Sequence, residues 1–263
     1  MLYNLNSVME AETISKNGQR MKSQMSRLRF LSFFIVVVFA SVTFVACKKE
    51  NKDDKEKEDV YLLVEWVNDY GSTKFEYDNQ NRITKMIDDS DILTITYNAA
   101  GDVVSVQDES INSPEYSHTI MFTKNGNDIT STYDDGTLIS IELNAEGLPI
   151  KWLREEWSHE SHYLSLRTYQ WQNGNMVRCD YEDKYNDLTN SYTENLTYDD
   201  KKNPMLYCKT PKWIFSTYIA YRCLFGNKNN LISLDDDKIT YTYNEAGLPV
   251  SDSKGHTYKY EKK

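Results

Sequence analysis

The 263-residue chain lacks the sequence signatures of the common enzyme and nucleic-acid-binding classes. It contains no GxSxG nucleophile motif, no glycine-rich phosphate loop and no CxxC or Cys/His metal spacing. Its 30 basic residues are outnumbered by 40 acidic ones, which gives a formal net charge of −10. Phosphate backbones are bound by clustered lysine and arginine, so this charge argues against nucleic acid as a partner. We therefore expect no catalytic residue, no metal and no cofactor.

Long apolar runs are also scarce, and the longest uncharged one lies near the amino terminus, from Phe30 to Ala46. Arg27 and Arg29 precede it, and Cys47 follows it directly. A basic region, a short apolar region and a small residue before the cut are the parts of a secretory signal. The alternative is a transmembrane anchor, since about 17 residues is near the lower limit for a span. The end of the run resembles the bacterial lipobox, which implies that Cys47 is lipidated.

These features divide the chain into three predicted parts. Residues 1–46 form a signal peptide, in which Met21 followed by a lysine is typical of the true start, so that residues 1–20 come from a misplaced start codon. Residues 47–59 form a flexible tether, because the sequence KKENKDDKEKED contains no apolar side chain to bury. Charged patches of this kind resemble the surface-export signals of Bacteroidota lipoproteins. Residues 60–263 form a single all-β domain.

Cysteine is rare, and its count constrains the disulfides. With Cys47 assigned to lipid, Cys179, Cys208 and Cys223 remain. An odd number in an exported protein implies at least one free thiol or an intermolecular pair. Cys208 and Cys223 are the candidate disulfide.

One short phrase recurs eight times within residues 60–263: an aromatic or apolar strand end, a turn rich in Asn, Asp and Gly, then an apolar strand start. Asn, Asp and Gly suit the left-handed backbone of tight hairpins, and the flanking residues alternate with period two. No helical stripe of useful length is present. The pattern predicts an all-β, antiparallel, up-and-down meander of roughly 14 to 18 strands. The copies are FEYDNQNRIT (75–84), ITYNAAGDVV (95–104), MFTKNGNDIT (121–130), IELNAEGLPI (141–150), YQWQNGNMV (169–177), LTYDDKKNPM (196–205), LFGNKNNLI (224–232) and YTYNEAGLPV (241–250).

The phrase resembles the YD repeat of RHS-type proteins, most clearly at Tyr97–Gly101 and Tyr243–Gly247. With the lipobox and the tether, the chain resembles a Bacteroidota lipoprotein family of unknown function that is described as having a porin-like β fold. The resemblance implies a fold and no activity. Strands of about 6–8 residues with a polar second face are shorter than the 9–11 residues that a spanning strand needs. We therefore expect a soluble barrel-like sheet with a wet interior, with a sandwich or a long twisted sheet as alternatives.

Residues 151–171 contain the densest group of aromatic side chains. Exposed aromatic rings on a β surface can stack on sugar rings or partner side chains, and the alternative is that they fill the core. The candidate ligand-binding residues are Trp152, Trp157, Tyr163, Tyr169 and Trp171.

Two other groups in this segment invite a chemical interpretation. His159 and His162 could hold a metal, but residues i and i+3 of a strand point to opposite faces. Glu155 and Glu156 could be paired carboxylates for glycoside hydrolysis, but adjacent strand residues also face opposite ways. We predict neither a metal site nor a catalytic pair.

The sequence thus predicts a non-enzymatic, lipid-anchored cell-envelope protein whose β scaffold binds a glycan or another protein. The alternatives are a structural or assembly protein without a ligand and, third, a glycan-active hydrolase. The predicted location is the outer membrane at the cell surface, with its periplasmic face as the alternative. Cys47 is the predicted contact with the membrane.

Overall fold

The computed structural model describes residues 59–69, 71–133, 136–157, 161–217 and 224–263. Cys47 and the predicted signal peptide lie outside the described residues, so their assignments stay predictions. Within the described residues a 6-residue helix, α1 (Lys212–Thr217), and a short 3-10 helix, Pro114–Tyr116, accompany 17 strands. None of the described helices has the length and hydrophobicity needed to cross a membrane.

The strands are β1 (Tyr61–Asn68), β2 (Gly71–Tyr77), β3 (Ile83–Ile87), β4 (Asp91–Tyr97), β5 (Val103–Ser110), β6 (His118–Asn125), β7 (Asp128–Thr132), β8 (Leu138–Leu143), β9 (Pro149–Trp157), β10 (His162–Gln172), β11 (Asn175–Tyr185), β12 (Leu188–Tyr198), β13 (Leu231–Leu234), β14 (Asp237–Lys238), β15 (Tyr241–Tyr243), β16 (Pro249–Asp252) and β17 (Thr257–Lys262).

These strands form one antiparallel meander, which confirms the predicted fold class. Strands that follow one another in the chain pair with one another, and β17 also pairs with β1, where Tyr61 lies opposite Lys262. The paired registers are interrupted between β14 and β15, and the sheet is not closed. The expected strand length of six to eight residues is wrong for β10, β11 and β12, which have 11 residues each. Asn173 and Gly174 have positive φ and form the tight turn between β10 and β11, which pair in one register from Gln170 to Tyr163 after a shift at Trp171.

The repeated phrase forms hairpins through local hydrogen bonds of its turn. The side-chain Oδ1 of Asn98 accepts hydrogen bonds from the backbone N–H groups of Ala100 and Asp102, both at 3.0 Å. Gly101 then adopts φ +89°, which only glycine adopts without strain. The register shifts at the aromatic or apolar anchor that precedes the turn, as between Thr96 and Tyr97. The same shift occurs in six adjacent strand pairs of the described chain: β2–β3, β4–β5, β8–β9, β10–β11, β12–β13 and β15–β16.

The anchor side chains tie successive repeats together. The hydroxyl of Tyr97 donates to the backbone oxygen of Ile83 at 2.7 Å, and Ile83 lies opposite the preceding anchor, Tyr77. A buried backbone oxygen at a register shift needs such a donor. Each anchor of this kind therefore reaches back to the strand pair of the preceding repeat, and this contact links the spacing of the anchors in the sequence to the spacing of the strand pairs in the sheet. The anchors Tyr77, Trp171 and Tyr198 make the same bond to the backbone oxygens of Leu63, Pro149 and Met176, and two further tyrosines make it as well, Tyr241 to Leu231 and Tyr260 to Pro249.

Two copies of the phrase do not form hairpins of their own, contrary to the prediction. Copies 196–205 and 224–232 are the two ends of the long connection between β12 and β13. The turn chemistry is retained, because Asp199 Oδ1 accepts from the N–H groups of Lys201 and Asn230, both at 3.0 Å. Its second donor lies 31 residues along the chain, compared with four in the Asn98 turn. The connection is thus a long insertion into an ordinary repeat turn, and we call its described residues, 199–217 and 224–230, the plug.

The plug supplies much of the core. Trp213, Ile214 and Phe215 of α1 are each no more than 3% exposed, and Phe225 is fully buried. The Trp213 ring meets Phe122 of β6 edge to face, with centroids 5.1 Å apart. Phe225 packs in the same way against Trp66 of β1 and Phe75 of β2. The sheet therefore curves around the plug, and plug side chains occupy the space for which a wet interior was predicted.

Candidate functional site

The structure separates the five candidate aromatic residues. Trp152 and Tyr169 are 7% and 4% exposed and belong to the core. Trp171 is half-buried, and its indole N–H donates to the backbone oxygen of Pro149 as one of the anchors. Trp157 and Tyr163 lie where β9 ends and β10 begins, beside an open groove. Only these two candidates are therefore placed to meet a ligand.

A groove of about 550 Å³ lies at this end of β9, β10 and β11. We call it the aromatic groove, and its lining residues are Thr137, Arg154, Glu156, Trp157, Ser161, Tyr163 and Tyr185.

The strand register explains why four of these side chains share a face, whereas Trp157 lies opposite His162 and projects from the other face at the end of β9. Tyr163 of β10 lies directly opposite Glu156 of β9 on one side and Tyr185 of β11 on the other. Residues directly opposite one another in antiparallel strands project from the same face of the sheet. Glu156, Tyr163 and Tyr185 thus form one row across three strands. Arg154 occupies the next row, because it lies opposite Ser165 of β10.

Two aromatic rings of the groove are open to solvent. Trp157 is 68% exposed and Tyr185 is 53% exposed. The Trp157 ring stacks on the imidazole of His162, with centroids 3.8 Å apart and planes inclined by 13°. His162 Nε2 in turn lies 2.9 Å from Glu155 Oε1. His162 and Glu155 therefore hold the indole ring in place at the rim.

The polar groups of the groove are arranged in pairs. Arg154 forms an ion pair with Glu156, whose side chains are 46% and 34% exposed. The hydroxyl of Tyr163 donates to Asp183 Oδ1 at 3.2 Å. A guanidinium, carboxylates and a phenol offer both donors and acceptors to a ligand. The groove can thus bind a polar molecule that also has an apolar face.

The other predicted groups are placed as follows. Glu155 and Glu156 have different partners, His162 and Arg154, as expected for adjacent strand residues. His159 lies outside the described residues. Among the residues that the structure describes, no three potential metal ligands come together.

The candidate disulfide cannot be placed, because Cys223 lies outside the described residues, and the pairing stays a prediction. Cys208 is half-buried in the plug, and burial raises the pKa of its thiol. Cys179 is buried in the core.

Four groove residues were not predicted from the sequence: Thr137, Arg154, Ser161 and Tyr185. Tyr185 lies outside the aromatic segment 151–171 and joins the site only through the pairing of β10 with β11. The tight Asn173–Gly174 turn was the available signal, since it fixes which residues of the two strands face each other. Arg154 lies inside the segment, but only its ion pair with Glu156 distinguishes it from other charged residues there.

Comparisons with known proteins identify no family for this chain. No protein family and no curated protein matches the chain. Among solved structures, a porin-like protein from Bacteroides uniformis is similar over 76% of this chain and 98% of its own, with 12% sequence identity and a TM-score of 0.31. Similarity at this level carries no functional assignment.

Proposed function

We propose that this protein is a non-enzymatic, lipid-anchored protein of the cell envelope whose aromatic groove binds a carbohydrate. The observation that carries the proposal is the pair of exposed rings, Trp157 and Tyr185, beside the ion pair of Arg154 and Glu156. Exposed aromatic side chains that lie close together mark binding surfaces more often than single exposed ones do.

The chemistry of the groove matches that of a sugar. A pyranose ring has a face of C–H groups that stacks on an aromatic ring and a rim of hydroxyls. Charged side chains such as Arg154 and Glu156 form strong hydrogen bonds to such hydroxyls. The volume of about 550 Å³ lies within the range of about 300–1,000 Å³ that small-ligand sites occupy.

The location in the envelope rests on the amino-terminal sequence. The apolar run 30–46 ends at Cys47, and the charged residues 48–59 follow. A lipid on Cys47 would hold the domain at the outer membrane, with the tether separating the two. We propose that the domain is displayed on the cell surface, where a carbohydrate ligand is accessible.

A glycan array probed with the protein purified from its membrane fraction tests carbohydrate binding. For a glycan that binds, we expect Trp157→Ala and Tyr185→Ala each to weaken binding about tenfold, which corresponds to about 1.4 kcal/mol. Tyr116→Ala is the matched control, because Tyr116 is 74% exposed and lies outside the groove. Wild-type binding by the Trp157 and Tyr185 variants would refute the groove as the site. Absence of any glycan ligand would favour a structural role instead.

Mass spectrometry of the mature amino terminus tests the anchor. We expect acyl chains on Cys47, and a Cys47→Ala variant should leave the membrane fraction. An unmodified Cys47 would contradict the lipoprotein assignment. Added protease should digest the protein on intact cells, and its protection there would place the domain on the periplasmic face.

A further inference from the structure

The plug contains a second cavity, which shares no lining residue with the aromatic groove. Its volume is about 150 Å³. Met205, Leu206 and Phe215 form an apolar part of its lining, and Met205 and Phe215 are 6% and 2% exposed. A cavity of about this size accommodates a molecule as large as benzene.

Two lysine side chains, Lys212 and Lys228, line the same cavity. Among the described residues neither has a carboxylate within ion-pair distance, although the chain as a whole is acidic. Burial is the largest cause that lowers the pKa of the Lys212 amino group. The charge of Glu146 raises this pKa, and the charge of Lys228 lowers it. Two ammonium groups that repel each other beside an apolar surface are stabilised by an anion between them.

The charge of the plug supports an anionic ligand. Its described residues, 199–217 and 224–230, contain two acidic residues and five basic ones, a balance of +3 in a chain whose formal charge is −10. The acidic residues are Asp199 and Asp200, and the basic ones are Lys201, Lys202, Lys209, Lys212 and Lys228. The plug is thus a basic segment of an acidic protein.

The walls of the cavity are fixed before any ligand arrives. The backbone N–H of Lys228 donates to Gly174 O at 3.1 Å and to Asn175 Oδ1 at 2.9 Å. Gly226 has φ +81°, and a Cβ atom there would lie 3.2 Å from the Cβ of Phe215. A preformed site loses little conformational entropy when it binds a ligand.

We propose that this cavity binds a small organic monoanion. Its carboxylate lies between the amino groups of Lys212 and Lys228, and its apolar body packs against Met205, Leu206 and Phe215. The ligand class is a short-chain or single-ring monocarboxylate, because the cavity has room for a body no larger than benzene.

Isothermal titration calorimetry of the full protein with benzoate and butyrate tests the proposal. We expect both to bind, and benzyl alcohol, which has the body of benzoate without its charge, to bind at least tenfold more weakly. Inorganic phosphate has the charge without the body and should also bind more weakly. Failure of benzoate and butyrate to bind would overturn the proposal. Equal affinity for benzyl alcohol or phosphate would also overturn it.

Variants in which a neutral glutamine replaces one lysine locate the site. Lys212→Gln and Lys228→Gln should each lower the affinity for benzoate about tenfold, the cost of losing one hydrogen bond to a charged group. Lys209→Gln is the matched control, since Lys209 is an exposed plug lysine outside the cavity. Lys228 is also exposed, so its variant should fold normally. Unchanged benzoate affinity of Lys228→Gln at a wild-type unfolding temperature would refute the assignment. We expect the lysine variants to leave carbohydrate binding by the aromatic groove unchanged, because the two sites share no lining residue.

Discussion

A steep loss of stability above pH 10 is the most direct consequence of the tyrosine hydrogen bonds. Five tyrosines whose pKa is raised donate their hydroxyls to a backbone or carboxylate oxygen at 2.7 or 2.8 Å within the described sheet. Burial is the largest cause that raises the pKa of each of these groups far above the ordinary value for tyrosine. The residues are Tyr77, Tyr97, Tyr241, Tyr258 and Tyr260.

The size and sign of the effect follow from proton linkage. Below about pH 10 both the folded and the unfolded chain keep these protons, and the stabilisation is fully present. Above that pH the unfolded chain loses protons that the folded chain keeps, so the free energy of unfolding falls. Each group contributes about 1.4 kcal/mol per pH unit, and five groups give about 7 kcal/mol per pH unit. A typical stability of about 5–15 kcal/mol is then lost within about one to two units above pH 10.

An alkaline titration followed by phenolate absorbance and far-ultraviolet circular dichroism measures this effect. Exposed tyrosines such as Tyr116 should ionise reversibly near pH 10 while the sheet signal remains. The five tyrosines with a raised pKa should ionise only when the circular dichroism signal of the sheet is lost. Tyr97→Phe should lower the number of protons released on unfolding by about one, which makes the pH transition less steep. Ionisation of all of the protein's tyrosines near pH 10 in a sheet that stays folded would refute the reasoning.

Three further predictions concern stability and can be measured by urea unfolding. Tyr97→Phe removes the donor to a buried carbonyl and should lower the free energy of unfolding by about 1–3 kcal/mol, whereas the exposed control Tyr116→Phe should stay within about 0.5 kcal/mol. Equal effects of the two variants would contradict the anchor role. Trp213→Ala empties the plug side of the core and should cost about 3–5 kcal/mol, and a loss under about 1 kcal/mol would show that the plug is not core. Asn98→Ala removes the turn acceptor and should cost about 1 kcal/mol, while an unchanged midpoint would show that Gly101 alone specifies the turn.

The aromatic segment shows where prediction from sequence reached its limit. Residues 151–171 were correctly identified as rich in aromatic side chains, but Trp152 and Tyr169 are core residues and Trp157 is exposed. Along a strand, alternation tells which residues share a face. It does not tell which of the two faces meets the core. Trp157 lies five residues after Trp152 in β9 and therefore projects from the opposite face, which is open to solvent there.

The hairpins were predictable because their determinants are local. The Asn98 turn uses hydrogen bonds between residues two and four positions apart, and Gly101 supplies the positive φ. Such contacts are encoded in a phrase of a few residues. The sequence alone therefore determined the fold class and the placement of most turns.

Only the tertiary structure decided what fills the sheet and which side chains form the aromatic groove. The plug begins and ends with turn phrases that resemble ordinary repeats, and its 6-residue helix is too short to show a helical stripe. Its burial depends on contacts such as that of Trp213 with Phe122, which no local pattern records. The groove likewise depends on the pairing of Tyr163 with Tyr185 across two strands. Short-range hydrogen bonds specify the repeating unit, whereas packing between distant residues determines where that unit meets solvent, core or ligand.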